Sequence, residues 1–463
     1  MNISDRALAG LEQVVSGQVL RPGAGAYEEA RRTFNGMIDK RPVAIVRPLN
    51  VDDVAQAVRW AADVGLPIAV RGGGHGVAGH AVADGALMLD LSQRRAVTVD
   101  PARRRAKAEG GCQWIDVDAA TQAHGLAVPG GTFGDTGIAG LTLGGGIGYL
   151  MGTHGLTCDN LVAAQLVTAD GTVRGVDAAT EPELLWGLRG GGGNFGVVTQ
   201  FEYQLHPVAA LYGGPIQFPA PETRAVLRLL RDIEAGAPDE LVCLVVLGGR
   251  RGFSEPVVEV VVAFNGLPEV GAAIVRPLRE HRPVLHDGLG PISYLALQAV
   301  NVQIPFGIRH YWKGHFVREF SDDVIDLAAD AFAGHDGPTG GVLIEMLHGV
   351  ARRIPADSAA FGQRAAAANV SAIGAWLDPA EDERQMAWVR SSADALRSHS
   401  LSGAGYMNYA TADEPAERVR AAFGASGFAR LAALKRQYDP ENRFRFNMNV
   451  PPAGSRPAAA SER

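Results

Sequence analysis

Six consecutive residues, Arg71-Gly72-Gly73-Gly74-His75-Gly76, set an imidazole at the mouth of a loop that carries almost no side chains. Glycine has no Cβ, so a bulky planar or charged ligand can come up against such a backbone. Two more glycine clusters follow, Gly144-Gly145-Gly146-Ile147-Gly148 and Gly190-Gly191-Gly192-Gly193-Asn194-Phe195-Gly196. Three clusters in this first part of the chain predict a large phosphorylated cofactor gripped by main-chain N–H groups. The histidine narrows the choice of cofactor.

The elements that must hold these loops can be read around them. Residues 43–46 predict a buried strand, and Asn50 caps a helix whose Val54, Val58, Ala61 and Ala62 recur at helical spacing up to Gly65. A strand at 67–70 delivers the first glycine loop. Short strands are predicted at 87–91, 97–99 and 105–109, a helix at 114–124, and a hairpin over Asp170-Gly171 between 161–168 and 172–176. Near residue 208 the texture changes. Longer β-rich runs at 241–247, 257–264, 310–318, 341–347 and 369–377 alternate with helical stretches at 223–234 and 321–332. That pattern predicts an antiparallel sheet with helices on one face, a domain suited to a substrate. Pro451–Arg463 is rich in Pro, Ala and Ser and reads as a loose tail.

Composition narrows the class. The 463 residues suffice for two or three domains with sizeable cores, and 47% hydrophobic with 20% charged residues describes a soluble globular protein. A net charge of -7 with scattered Lys and Arg argues against nucleic acid as a partner. Cys112, Cys158 and Cys243 show neither CxxC nor zinc spacing, which points to a reducing compartment. The start lacks the layout of a signal peptide, and no run of uncharged apolar residues is long enough to span a membrane. A cytoplasmic enzyme is the expectation.

Gly191-x-Gly193-x-x-Gly196 nominally matches the dinucleotide fingerprint, but in reversed context. A predicted helix at 182–188 precedes it and a strand at 197–205 follows, whereas the nicotinamide site needs strand first and helix second. Tight turns in a β-rich domain would explain one cluster, but not easily three with a histidine.

Taken together, these residues resemble the FAD-linked oxidases of the berberine bridge enzyme type, in the form of their bacterial members with a singly attached flavin. The resemblance begins at Arg71–His75 and continues through Gly140-Leu141-Thr142-Leu143-Gly144-Gly145-Gly146-Ile147-Gly148 and Gly155-Leu156-Thr157-Cys158-Asp159-Asn160-Leu161. It resumes at Leu188–Val198 and ends in Tyr406-Met407-Asn408-Tyr409 and in Tyr438–Asn449, with Asn447 and Asn449 in the closing run. The resemblance implies an α+β fold: a two-part FAD-binding domain of the vanillyl-alcohol-oxidase/PCMH type at 1–208, then an antiparallel-sheet substrate domain at 209–404. A segment at 405–452 would return to the flavin, leaving 453–463 as tail. FAD contacts are expected from Arg71, Gly72, Gly73, Gly74, His75, Gly76, Thr132, Gly137, Gly140, Gly144, Gly145, Gly146, Gly148, Asp159, Asn160, Gly193, Asn194, Phe195, Gly196, Val198, Asn447 and Asn449.

The same resemblance assigns His75 the covalent bond to the 8α-methyl carbon of the flavin. An ordinary core histidine is the alternative, and His80 is expected to be structural. Many members add a cysteine bond to flavin C6. Here Gly131-Thr132-Phe133-Gly134-Asp135-Thr136-Gly137 carries Phe133 in the cysteine's place, so a single link is expected and Cys158 reads as a buried thiol. A compact substrate then fits better than a polymeric sugar.

Proton removal from the substrate is expected of Tyr409, with Tyr406 as orienting neighbour; the alternative is that both only pack against the flavin. A neighbouring carboxylate or cationic group would lower the phenol's pKa. The strand at 369–374, where relatives carry an acidic or amide group, shows small residues, which argues against a carboxylate base. His310, Tyr311, Trp312, Lys313 and His348 are candidates for the substrate wall. The expected reaction is hydride transfer from a CH–OH or CH–N group of a small molecule to covalent FAD, with O2 as acceptor and Thr136 near its access path. A dehydrogenase using a quinone-like acceptor would need the same scaffold. A flavin-binding cyclase without net redox turnover is the reading from another class.

Overall fold

The computed structural model describes residues 3–208, 210–249, 253–301, 305–337 and 339–455. Most of the expected tail therefore lies outside the described residues. The predicted α+β architecture is present. Strands Gln18–Leu20, Ala44–Arg47, Leu87–Asp90 and Ile68–Arg71 form a four-stranded sheet in that order, its last three strands parallel. The helix Val51–Asp63 starts where expected, with Asn50 Oδ1 accepting from the Asp53 N–H at 2.9 Å. Its Val54, Ala57, Val58 and Ala61 are buried in the core of this sheet. A second, five-stranded antiparallel sheet runs Val97–Asp100, Arg105–Glu109, Val197–Gln204, Leu161–Val167 and Val173–Asp177.

The larger sheet begins at Ala210–Pro219, a strand that the sequence reading did not anticipate. From there it passes through Val257–Phe264, Leu241–Gly248, Thr339–Met346 and Ala368–Trp376 to Arg309–Val317, all antiparallel. Two short strands, His286–Asp287 and Gly290–Ser293, pair with the outer side of Ala210–Pro219.

Side chains alternate between the two faces of a strand, and this sheet separates them by task. Cys243, Val245 and Leu247, with Val342 and Ile344, enter a core shared with Val226, Leu227 and Leu230 of the helix Thr223–Ala235 and Val324, Ile325 and Ala328 of the helix Asp322–Ala333. Leu244, Val246, Leu343 and Ile373 point the other way, into open space before the glycine loops.

The chain then returns to the first part. Leu431, Leu434 and Tyr438 of the helix Ala416–Tyr438 pack in the core of the five-stranded sheet, and Phe444 in that of the four-stranded one. The Ile68 N–H donates to the Arg443 carbonyl at 3.0 Å. Lys435, fully buried, pairs with Asp439 at 2.7 Å and donates to the carbonyls of Asn194 (2.7 Å) and Phe444 (2.9 Å). One ammonium thus joins the third glycine cluster to the closing segment. No helix among the described residues is long and apolar enough to cross a membrane.

Candidate active site

Between the open face of the large sheet and the glycine loops lies a cavity of about 870 Å3, within the size range of small-molecule and cofactor sites. All three glycine clusters reach it, and so does the segment 406–410. Of the expected contact residues, Gly72, Gly73, Gly74, His75, Gly76, Thr132, Gly137, Gly140, Gly144, Gly193, Gly196, Val198 and Asn447 line it, as do Tyr406 and Tyr409.

The others stand behind the wall and brace it. Arg71 donates to the Ala30 carbonyl and lies 3.8 Å from Asp90. Gly145 and Gly148 pack closely on Phe361 and on the Gly130 carbonyl, and the Gly146 N–H donates to Tyr406 Oη at 2.9 Å. Asp159 accepts from the Leu156 N–H at 2.7 Å and pairs with Arg364. Asn160 donates to the carbonyls of His154 (2.9 Å) and Leu156 (3.0 Å). Asn194 donates to the Gly191 carbonyl at 2.8 Å and accepts from the Val450 N–H at 3.0 Å, while Phe195 is core. Asn449 Oδ1 is buried without a hydrogen-bond partner.

Close approach explains the glycines. A Cβ on Gly73 would lie 2.6 Å from Gly137 Cα, and one on Gly144 would lie 1.9 Å from Asn408 Oδ1. Asn408 in turn donates to the Leu141 carbonyl (3.1 Å) and to Tyr406 Oη (2.8 Å). The Tyr406–Tyr409 segment is thereby seated on the second glycine cluster.

At the other end of that segment, the Tyr409 hydroxyl donates to Glu345 Oε1 at 2.8 Å, and Asn369 Nδ2 donates to Glu345 Oε2 at 2.7 Å. Glu345 and Asn369 face each other in register on neighbouring strands. Burial pushes the Glu345 carboxyl up to about 7, although both hydrogen bonds favour its charged form. Burial first, then the Glu345 charge, pushes the Tyr409 phenol well above its ordinary value. The expected lowering by a charged neighbour is thus reversed, because that neighbour is an anion. The small residues at 369–374 did not remove carboxylate chemistry from the site either; the carboxylate stands one strand over.

His75 sits between two partners. Phe34 stacks on its ring at 4.1 Å with planes 16° apart, and Asp135 Oδ1 lies 3.6 Å from its Nε2. On the far side of Phe34 stacks His310, centroid to centroid 4.3 Å, which burial and the neighbouring His75 push down to about 3. His80 also lines the cavity, and burial pushes it down to about 4.

The substrate-wall candidates divide by strand parity. Trp312 lines the cavity, whereas Tyr311 and Lys313 point to the opposite face and bind Asp413. His348 lies at the Pro238 carbonyl, 3.1 Å away. Phe133 and Thr136 line the cavity, and Cys158 is buried outside it with its thiol pushed up by burial. Glu345, Phe34 and the Asp135 contact escaped the sequence reading. Among the described residues no cluster of His, Cys, Asp and Glu is fit to hold a metal ion.

Comparison with known proteins gives the same picture. Residues 42–177 match the FAD binding domain family, and residues 405–451 the family described as berberine and berberine like. The chain is 32% identical to (R)-6-hydroxynicotine oxidase of Paenarthrobacter nicotinovorans, over 95% of this chain and 98% of that protein. It is 30% identical to an FAD-linked oxidoreductase of Dictyostelium discoideum, over 95% of each chain. The crystal structure of 6-hydroxy-D-nicotine oxidase from Arthrobacter nicotinovorans superposes with a TM-score of 0.84 at 31% identity, covering 94% of this chain and 98% of that one.

Proposed function

Because the chain belongs to the berberine bridge enzyme-like family of FAD-linked oxidoreductases, we propose that it is an oxidase that carries FAD bonded to His75 and oxidises a CH–OH or CH–N group of a compact small molecule, with O2 as acceptor. The residues fit the cofactor. Backbone lined by glycine borders the cavity along three loops, and the wall residues His80, Trp312 and Asn447 carry buried polar atoms (Nε2, Nε1 and Oδ1) without hydrogen-bond partners, a pattern that a polar ligand resolves. The glycine loops would hold the phosphates, and the 406–410 segment would lie against the ring. When bound, FAD supplies a two-electron acceptor for a hydride.

The chain's own residues then handle the proton. Tyr409 lines the cavity, and its hydroxyl hydrogen is directed at Glu345. As substrate loses its O–H or N–H proton to the Tyr409 oxygen, the tyrosine passes its own to Glu345, and no free phenolate need form. Asn369 keeps the carboxylate aimed. Tyr406, held by Gly146 and Asn408, orients Tyr409. Phe133, filling the position where relatives place a second attachment, limits the opening and favours a compact substrate.

The observation that carries this reading is the meeting of His75 and the Tyr409–Glu345 pair on one cavity, brought together from three distant parts of the chain. Cysteine usage supports a cytoplasmic setting. The test is direct: acid-precipitated protein should stay yellow, with flavin mapped to a His75 peptide and lost in His75→Ala. Anaerobic mixing with alcohols and amines should bleach the flavin, and air should restore it with peroxide. Bleaching that only a quinone-like acceptor reverses would make it a dehydrogenase; turnover without bleaching would make it a cyclase.

A further inference from the structure

The turn from Phe133 to Thr136 is clamped against the histidine loop. A Cβ on Gly137 would lie 2.4 Å from the Gly73 nitrogen, so the two backbones touch. The Thr136 N–H donates to the Phe133 carbonyl (3.2 Å), and the Ile115 N–H to the Gly134 carbonyl (2.8 Å), tying the turn to the helix Trp114–Gln122. Asp135 is thereby held beside His75. Both side chains are only 15% exposed, and Asp135 Oδ1 and His75 Nε2, 3.6 Å apart, are each buried with no hydrogen-bond partner. Phe34 holds the imidazole by its face, while the carboxylate meets its edge.

A carboxylate 3.6 Å from Nε2 favours the tautomer with the proton on that nitrogen, which leaves the Nδ1 lone pair free to form a bond. It also stabilises the positive charge that grows on the ring as Nδ1 forms a bond. Resting on the reading of His75 as the attachment site, we propose that Asp135 is the positioning residue for flavin attachment: it orients the His75 ring and takes its Nε2 proton as the bond to the flavin methyl carbon forms. Attachment breaks one methyl C–H bond and one imidazole N–H bond and makes one C–N bond. The imidazole proton goes to Asp135 and the methyl proton to water. Two electrons pass through the flavin to dioxygen, which takes up two protons to become hydrogen peroxide.

The full chain, made by cell-free synthesis with FAD present, provides the test. Samples quenched in detergent over time are followed by in-gel flavin fluorescence and intact mass, and native samples by filter-retained FAD. Wild type should gain covalent flavin on His75. Asp135→Asn should retain FAD non-covalently but attach it more slowly, on the order of 10²-fold. Asp135→Glu should recover part of the rate, and added formate should speed Asp135→Ala but not wild type. Attachment in Asp135→Asn at the wild-type rate overturns the proposal. So does slowing matched by lost non-covalent FAD with no formate rescue, which marks a structural residue. A wild-type chain without flavin on His75 overturns the attachment reading and this proposal together.

Discussion

Tyr409 and Glu345 share a 2.8 Å hydrogen bond in which the tyrosine is the donor. The direction matters: a buried phenol beside a buried carboxylate resists ionisation, so the pair can act as a relay more readily than the tyrosine can act as an anion. One partner rides on the 406–410 segment and the other on the large sheet. The bond therefore exists only when both are seated.

Tyr409→Phe removes one oxygen and should leave folding and flavin content intact. The rate of anaerobic flavin reduction should fall on the order of 10²–10⁴-fold, with reoxidation by O2 unchanged. Tyr406→Phe should be milder. An unchanged reduction rate in Tyr409→Phe would remove the relay from the mechanism, and Lys313 could not replace it, since that ammonium is engaged by Asp413 and Glu414 on the other face of its strand.

Glu345 accepts a proton only when ionised, and burial has moved its carboxyl from an ordinary 4.5 to about 7. Flavin reduction should climb with pH up to about 7 and level off beyond it; in Glu345→Gln it should be slow and flat over that range. Stability runs the other way. A folded value above the unfolded one means that the group's contribution is fully present below about 4.5 and lost as pH rises through about 7. At pH 8, Glu345→Gln should melt no lower than wild type. A wild-type reduction rate that ignores pH between 5 and 8 would count against Glu345.

Gly73→Ala drives a methyl group into the backbone at Gly137, and neither loop can yield without disturbing His75. It should cost about 1–3 kcal/mol in denaturant unfolding and lower covalent flavin content. Gly76→Ala is the control, because a Cβ there meets nothing within 4 Å; its unfolding midpoint should match wild type.

Lys435→Met leaves Asp439 buried without its cation, and only the N–H groups of Arg443 and Phe444 remain to it. Breaking one side of a buried pair costs about 3–5 kcal/mol, so the thermal midpoint should drop by many degrees. Lys435→Met with Asp439→Asn should recover part of the loss. A single variant as stable as wild type would show that the pair does not hold the closing segment.

The loops were legible in the sequence because close backbone approach leaves glycine as its trace, and Asn50, Gly65 and Asp170-Gly171 announce their elements by local chemistry. Glu345 left no such trace. It is one acidic residue in a run that reads as a strand, and its meaning comes from Asn369 across the sheet and Tyr409 from a later segment. Asp135 gains its role from the contact of Gly73 with Gly137, a meeting that no local pattern encodes. The strand Ala210–Pro219 was missed because its glycines and prolines depress strand propensity; pairing along Val257–Phe264 overrides that.

The bond from the Ile68 N–H to the Arg443 carbonyl, and the reach of Lys435 to Asn194, have a consequence for biosynthesis. The ribosome releases the histidine loop long before it makes the residues that back it. An emerging chain must therefore keep its first two sheets without their last buttress, and the pocket closes only once residues 435–449 have cleared the exit tunnel. The part of the pocket wall that Phe446, Asn447 and Met448 supply is thus the last to be made.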